Sequence, residues 1–444
     1  MYKEVLILKG DYIFMETNLF DVIITGAGPA GLMAAKTARE LGLNVLVIEK
    51  FKDFSVLRRA CSAQFILDDD YQDEEMKLEN NQICFTKNDF KVNYDGDIVE
   101  IKNKYYFSPH KHRIHFAKSD GSAFALKFDK IVLLRGLYEE CISLGVNFLL
   151  GALVHSGKDY GDYVSVEVIK TLEKQTFKGR KLIIAEGVNP TVSSKFGFTK
   201  ERTHFATSFV HKFYLKGVTE FEPNSWNLFY GKAYHSNAAI IVGPSLLEKD
   251  VLEFTLSGDA KLLPKDIYKE LIASGPLAKQ LEHAKIVQTQ GCCVKAYSSL
   301  KVPYKQNVLV IGDTAAFVEV EVQGGFTCGY RAAKAVYDEL HQLHGFEDYT
   351  KWWQKSFEFN DDGYLQVAQG YALVPTYTDD ELDYLFGLIE NEVLEGTYSQ
   401  YKTPKLIWGA IRKHSEKIKA EKPDVYRKME KMNEMTLSAT FHKE

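Results

Sequence analysis

Cysteine is scarce in this chain. Six residues in 444, at positions 61, 84, 141, 292, 293 and 328, form no Cys-x-x-Cys and no Cys/His spacing typical of a metal site. They are too few and too scattered for a disulfide framework, so a reducing, cytoplasmic setting is expected. No apolar run reaches about 18 residues, which excludes a transmembrane helix. The N-terminus lacks the basic region, apolar stretch and small-residue cleavage site of a secretory signal. Met15 stands shortly before the first strong strand pattern, so residues 1–14 read as a dispensable extension or an upstream start. Positive charge is in no excess either: 55 Lys and Arg face 60 Asp and Glu, a formal net charge of −5. Nucleic acid is therefore not an expected partner. Neither internal repeats nor a low-complexity linker occurs, so the lobes interleave rather than follow one another.

The length exceeds what one hydrophobic core usually organises, so two or three lobes are expected. Hydrophobic residues at 45% and charged residues at 26% exclude a disordered or collagen-like chain. Aromatic residues reach 13%, mostly Tyr and Phe, which suits large apolar pockets or stacking surfaces.

The strongest local pattern lies near the N-terminus. Asp21-Val22-Ile23-Ile24-Thr25 is a short β-branched run, as befits a strand buried on both faces. It leads straight into Gly26-Ala27-Gly28-Pro29-Ala30-Gly31 and an Ala-rich helical stretch that closes at Gly42. A second strand, Asn44 to Ile48, ends at Glu49. Strand, G-x-G-x-x-G, helix and an acid at the next strand's tip form the dinucleotide-binding fingerprint. The glycines allow a tight turn and close backbone approach, the helix N-terminus offers free N–H groups to a pyrophosphate, and the carboxylate can accept from ribose hydroxyls.

Three later segments add to this unit. Ile131 to Leu134 reads as a strand end before a helix, with Gly145 to Phe148 as the next strand. Lys181-Leu182-Ile183-Ile184 is a buried strand ending in Ala185-Glu186-Gly187. Asn307 to Ile311 delivers Gly312-Asp313, followed by Gln323-Gly324-Gly325 and a helix from Phe326 to Leu343. In this order the chain resembles, over about residues 19–345, the FAD-dependent oxidoreductases of the p-hydroxybenzoate-hydroxylase-like fold. The resemblance implies an α/β Rossmann-like FAD-binding domain interleaved with an antiparallel β-sheet substrate domain, plus a C-terminal helical extension. Its boundaries would be 19–80, 131–203 and 301–345 for the FAD domain, 81–130 and 204–300 for the substrate domain, and 346–444 for the helical region.

By that likeness FAD is bound non-covalently, with Gly26, Gly28, Pro29, Ala30, Gly31, Glu49 and Lys50 at its ADP half. Arg59, Arg135 and Gly187 join the cofactor-binding set, Gly312 and Asp313 hold the ribityl chain, and Gly324 and Gly325 face the flavin pyrimidine ring. Such a helix start stabilises negative charge on a reduced flavin. Glu186 stands where the family usually has Asp. Only one nucleotide fingerprint occurs, so the electron donor is either a transiently bound NAD(P)H or a protein such as ferredoxin.

Within the fold, the hydroxylases' His and Pro after Gly-Asp are missing, and so is the halogenases' Trp-x-Trp-x-Ile-Pro. The chain is more similar to geranylgeranyl reductases: Arg58-Arg59-Ala60-Cys61 looks like a shifted form of their Arg-Cys-Gly segment. Gly312-Asp313-Thr314-Ala315-Ala316-Phe317-Val318 is similar to their Gly-Asp-Ala-Ala-Gly-Phe-Val. Tyr349 to Trp353 and Asp379 to Asp383 resemble their helical extension. Their Tyr-x-Trp-x-Phe-Pro element is absent. The activity this implies is hydride transfer from flavin N5 to a carbon–carbon double bond of an apolar, isoprenoid-like substrate. The alternatives are a dehydrogenase passing electrons to a quinone or carrier protein, and a flavin monooxygenase.

Several residues carry two readings. Cys61 either donates a proton beside the flavin or is a small buried apolar residue. Cys292-Cys293 reads as structural. Glu319 and Glu321 either act as acids or bases or form a solvated loop face. Phe213, Tyr214, Trp226, Phe229 and Tyr230 either line an apolar pocket or fill the core. His110 to Arg113 is a basic patch that meets an anion or sits in a solvated turn, and residues 411–434 form a basic helical segment that is either solvated or rests on an anionic membrane surface. The oligomeric state has no signature.

Overall fold

The computed structural model describes residues 19–54, 59–368, 370 and 373–432. Met1 to Met15 and Arg58, each singled out above, lie outside the described residues, as do residues 433 and 434 of the basic segment.

Five parallel strands form the first layer: β1 (Leu19–Thr25), β2 (Val45–Glu49), β3 (Asn147–Leu150), β4 (Glu173–Ile184) and β5 (Val308–Val310), in the spatial order 3-2-1-4-5. That is the order of a doubly wound nucleotide-binding sheet. Its central residues are apolar and buried, Val22, Ile23, Ile24, Leu46, Val47, Leu182 and Ile183 among them, as a strand covered on both faces requires. The N-terminal half of β4 continues into an antiparallel ladder with Val164–Lys170 and Leu153–Asp159. Helices α1 (Pro29–Glu40), α2 (Lys130–Ser143) and α3 (Glu321–Leu340) belong to the same core.

Two boundaries differ from the sequence reading. Ile131 to Leu134 are not a strand end but the first turn of α2, because Asp129 caps that helix: its Oδ1 accepts from the N–H groups of Ile131 at 2.8 Å and Val132 at 3.3 Å. Helix α3 starts at Glu321 rather than Phe326, so Gln323-Gly324-Gly325 lies within its first turns.

A second, eight-stranded sheet runs in the order Lys285–Tyr297, His204–Lys216, Val251–Gly258, Ile240–Pro244, Ser225–Phe229, Asn103–Phe107, Arg113–Ala117 and Val393–Glu395. It is antiparallel except where Ser225–Phe229 meets Asn103–Phe107 and where the tail strand meets Arg113–Ala117. Residues 76–93 do not join it. They form their own three-stranded sheet, drawn to α3 by aromatic contacts: Phe90 stacks on Tyr330 at 4.6 Å, and Phe85 meets Phe326 edge-on at 6.0 Å. Gln64–Ile66, Ala125–Phe128 and Ile98–Ile101 make a second small sheet between the two layers.

The helices after Gly345 pack onto both layers. Tyr349, Trp352 and Trp353 are buried in the first core, while Leu382, Leu385, Phe386, Trp408 and Ile411 join Trp226 and Tyr106 in a second. Thr378 and Glu381 form a capping box at Asp379–Gly387. The His110–Arg113 patch is matched by acids: His110 meets Asp383, His112 Nδ1 lies 2.7 Å from Glu390, and Arg113 lies 3.8 Å from Glu222. Two of these three acids belong to the C-terminal region, Asp383 in the helix Asp379–Gly387 and Glu390 in the turn after it, so the patch serves as a latch between lobes. Among the described residues no helix is long and apolar enough to cross a membrane.

Candidate active site

The C-terminal ends of the parallel strands open into one cleft, bordered by Thr25, Glu49, Ala152, Ala185 and Ile311. This is where a doubly wound sheet receives a ligand. Gly26 takes φ +96°, and a Cβ there would stand 2.3 Å from the Ala185 carbonyl oxygen; one at Gly31 would stand 1.9 Å from that of Gly26. Both glycines are therefore required by the turn itself. Gly28 differs: its backbone is extended and nothing lies within 4 Å of a Cβ built there. The open space in front of it is cleft, beside the first turn of α1, whose leading Pro29 has no N–H to leave unsatisfied.

Glu49 ties the loop to the tip of β2. Its Oε2 accepts from Ala27 N–H at 2.7 Å and its Oε1 from Phe51 N–H at 2.9 Å. Opposite, Gly312 turns the chain at φ +64° and Asp313 Oδ1 accepts from Val320 N–H at 3.0 Å. Arg59 reaches across with Nη1 3.6 Å from Asp313 Oδ2. Burial works against its charge, yet Asp313 foremost, with Cys292, Cys61 and Glu319, keeps the guanidinium firmly protonated. Gly187, at φ +80°, gives that guanidinium room, since a Cβ there would come within 3.1 Å of Nη1. Glu186 serves its own loop: its carboxylate accepts from the N–H groups of Thr191, Val192 and Ser193 at 2.7–3.0 Å. Burial raises it above the usual carboxylate range against those bonds.

Of the residues expected at the site, Gly26, Gly28, Pro29, Ala30, Glu49, Lys50, Arg59, Cys61, Gly187, Gly312, Asp313 and Gly325 all line the cleft, and Gly31 closes the turn beneath it. Arg135 and Gly324 do not. Lys130, Ile131 and Leu134 face the cleft from α2, and one further residue along a helix rotates away from that face, which leaves Arg135 exposed. Gly324 is pressed against Gln72, whose Oε1 a Cβ would approach to 2.3 Å, while its neighbour Gly325 faces Pro29. The aromatic residues offered as pocket lining are core instead: Trp226, Phe229 and Tyr230 are all under 7% exposed, and Phe213 stacks on Tyr268.

Around Cys61 the site becomes a cluster of titratable groups. Lys130 Nζ lies 3.3 Å from the sulfur, and Ala63 N–H donates to it at 3.4 Å. Burial alone would raise this thiol, but Lys130, Lys212 and the Ala63 N–H outweigh it and bring it below its ordinary value. Cys292 is not remote from this wall, since its sulfur lies 3.9 Å from the Ala60 carbonyl oxygen. Glu319 and Glu321 both line the cleft. Glu321 opens α3 with φ +60°, a left-handed conformation uncommon for a residue with a Cβ. Burial, then Glu319, then Cys61 push its carboxyl well above the usual range. Lys130 went unnoticed in the sequence because only the Asp129 cap, which starts the helix there, signals which face it takes.

The residues present fit a flavin dinucleotide: a glycine seat with free space where a Cβ would fill it, a helix start behind that space, Glu49 at one end, and Arg59, Asp313 and α3 at the other. The family described as FAD binding domain matches residues 19–245. A digeranylgeranylglycerophospholipid reductase of Methanococcus vannielii is 23% identical over 375 residues, 79% of this chain and 87% of its own length. One of Methanosarcina acetivorans is 22% identical over 83% of this chain and 88% of its own. Among solved structures, a geranylgeranyl bacteriochlorophyll reductase-like protein of Thermoplasma acidophilum superposes with a TM-score of 0.69 at 16% identity, covering 94% of this chain and 99% of that one.

Proposed function

The chain belongs to the FAD-binding-domain family and is an FAD-dependent oxidoreductase of the geranylgeranyl reductase type, and from that premise we propose that it saturates carbon–carbon double bonds of an isoprenoid lipid. The observation that carries this reading is the wall of titratable side chains, Glu319, Glu321, Cys61 and Lys130, that lines the same cleft as the glycine turn, Glu49 and Asp313. Relatives named for the reduction of digeranylgeranylglycerophospholipids, aligned over four fifths of the chain, support the substrate class.

Saturating an alkene adds a hydride to one carbon and a proton to the other. Bound FAD supplies the hydride, from N5 of its reduced form. The protein's part is to bind, orient and deliver the proton. Gly26, Gly28, Gly31 and the α1 N-terminus receive the pyrophosphate, Glu49 faces the ribose, and Asp313 and Arg59 hold the opposite end. Glu321 gives up its proton to the second carbon and regains one from solvent through Glu319, which is exposed at the cleft mouth. Cys61, whose thiol is easier to ionise than usual, is better suited to carry negative charge than to donate a proton. The eight-stranded sheet with the C-terminal helices serves as the substrate lobe. A nicotinamide or a ferredoxin-like protein returns the electrons, and the enzyme meets its lipid from the cytoplasmic side of the membrane without entering it.

The test is direct. Purified protein loaded with FAD and reduced by dithionite is incubated anaerobically with a geranylgeranyl-chain glycerophospholipid in detergent micelles. Products gaining 2 Da per double bond, detected by mass spectrometry, support the reading. Reoxidation of the flavin by quinone or oxygen alone, with the lipid unchanged, overturns it.

A further inference from the structure

Behind the cleft wall that carries Cys61 lies a charged cluster used by none of these steps. Lys127, Lys212 and Glu253 are buried, with side chains 1%, 1% and 5% exposed. Both ammonium groups meet one carboxylate oxygen, Glu253 Oε2, at 2.8 Å from Lys127 and 2.5 Å from Lys212. Each lysine turns a second N–H to the backbone of the wall: Lys127 donates to the Ser62 carbonyl at 2.9 Å, and Lys212 to the Cys61 carbonyl. Lys127 comes from the small sheet between the layers, and Lys212 and Glu253 from neighbouring strands of the large sheet, so the cluster fastens the wall to two sheets at once.

Two features set it apart from a salt bridge that merely stabilises. Two cations on one anion leave an uncompensated positive charge in an apolar interior, which is costly; a single Lys–Glu pair would close neutral. The held segment also contains Ala63 at φ +49°, a left-handed conformation that a residue with a Cβ keeps only when its surroundings enforce it. We propose that Lys127, Glu253 and Lys212 are positioning residues: a buried charged clamp that sets the backbone of the wall at Cys61–Ala63 and keeps net positive charge behind the Cys61 sulfur, making it a reactive thiolate facing the cleft.

The charged and titratable groups around that sulfur come from every neighbouring element. They are Lys130 on α2, Lys212 and Tyr214 on His204–Lys216, Lys127 on Ala125–Phe128, Cys292 on Lys285–Tyr297, Arg59 on the same loop, and Glu319 and Glu321 at the start of α3. Glu319, Glu321 and the clamp's own Glu253 oppose ionisation, and the four cations favour it. The clamp goes beyond the proposed reaction, since it acts on this wall whatever substrate the cleft takes.

Iodoacetamide labelling of Cys61, followed by peptide mass spectrometry over a pH series, tests it without substrate, on protein both loaded with FAD and stripped of it. In the stripped native protein the rate midpoint is expected below that of the same cysteine in denatured protein. Lys212→Met is expected to raise it by about one pH unit, the effect of losing one nearby opposite charge, and Lys212→Arg to restore it. Labelling of the loaded protein is expected to be slower, because Cys61 faces the cofactor cleft; equal rates would place the thiol outside it and overturn the proposal. A native midpoint at or above the denatured one overturns it without any variant, and so does an unchanged midpoint in folded Lys212→Met. Failure here leaves alkene reduction standing, and failure of alkene reduction leaves this midpoint unmoved.

Discussion

Arg59 and Asp313 meet across the cleft, Nη1 to Oδ2 at 3.6 Å, while the other oxygen of Asp313 accepts from Val320 N–H at 3.0 Å. One carboxylate thus joins the loop after β2, the turn after β5 and the approach to α3. Asp313→Ala frees the Val320 N–H and leaves Arg59 without that partner. The expected result is an FAD dissociation constant raised about tenfold or more, the worth of one charge-assisted hydrogen bond of ~1.5–3 kcal/mol. Titration of the stripped protein by flavin fluorescence quenching checks it, and an unchanged constant would confine Asp313 to tethering its own loop.

The three glycines of the first turn separate folding from cofactor retention. A Cβ at Gly28 touches no protein atom, whereas one at Gly26 or Gly31 runs into backbone. Gly28→Val is therefore expected to fold with near-native circular dichroism and thermal midpoint but to purify colourless. Gly26→Ala and Gly31→Ala are expected to lose stability whether or not FAD is added. A yellow Gly28→Val at full stoichiometry would remove the pyrophosphate from its assigned place.

How far the sequence was legible follows from the range of the forces involved. The strand, glycine turn, helix and Glu49 are local, and each was readable because its residues answer only to their neighbours along the chain. Gly312-Asp313 was legible for the same reason. Arg135 and Gly324 were misplaced by the rotation of a single helical residue, which motif likeness does not resolve. The start of α2 turned on Asp129, a cap hidden within an apolar run that also suits a strand. Lys127, Lys212 and Glu253 gave no signal at all: each sits on a strand with ordinary alternation, and only the pairing of His204–Lys216 with Val251–Gly258, and the small sheet beside them, brings the charges together. Phe85 and Phe90 show the converse, a hairpin that the likeness placed in the substrate domain with residues 81–130 but that is captured by Tyr330 and Phe326 on α3.

Glu321 makes a kinetic prediction. Because burial and Glu319 hold its carboxyl well above the ordinary range, the acid form persists to higher pH than in a free glutamate and is lost as pH rises through its raised value. The turnover rate for alkene reduction is expected to fall along that limb in the native enzyme. Glu321→Gln is expected to lower kcat about 10²- to 10⁴-fold, the usual worth of a positioned acid, and to flatten the limb, with flavin reduction by dithionite unaffected. A variant with a slower rate but the same pH limb would assign the proton to another group.

Lys104 offers a test of stability against pH. The residue is 2% exposed, and its ammonium donates to the Thr397 carbonyl at 2.5 Å and to Thr403 Oγ1 at 3.0 Å and lies 4.3 Å from the centre of the Phe116 ring. Burial pushes it down to about 7, with Asp68 pulling weakly the other way. In the unfolded chain the same group keeps its proton to about 10.4. Below pH 7 both states are protonated and the native state bears the whole penalty. Between there and about 10.4 the unfolded chain binds more protons, so stability rises with pH. Lys104→Met removes this term while keeping most of the volume. Compared by urea unfolding, the native protein is expected to gain about 2 kcal/mol on the variant from pH 7 to pH 9. Parallel pH dependences would mean that the ammonium retains an ordinary proton affinity, and that the seam between the large sheet and the C-terminal helices carries a satisfied charge rather than a strained one.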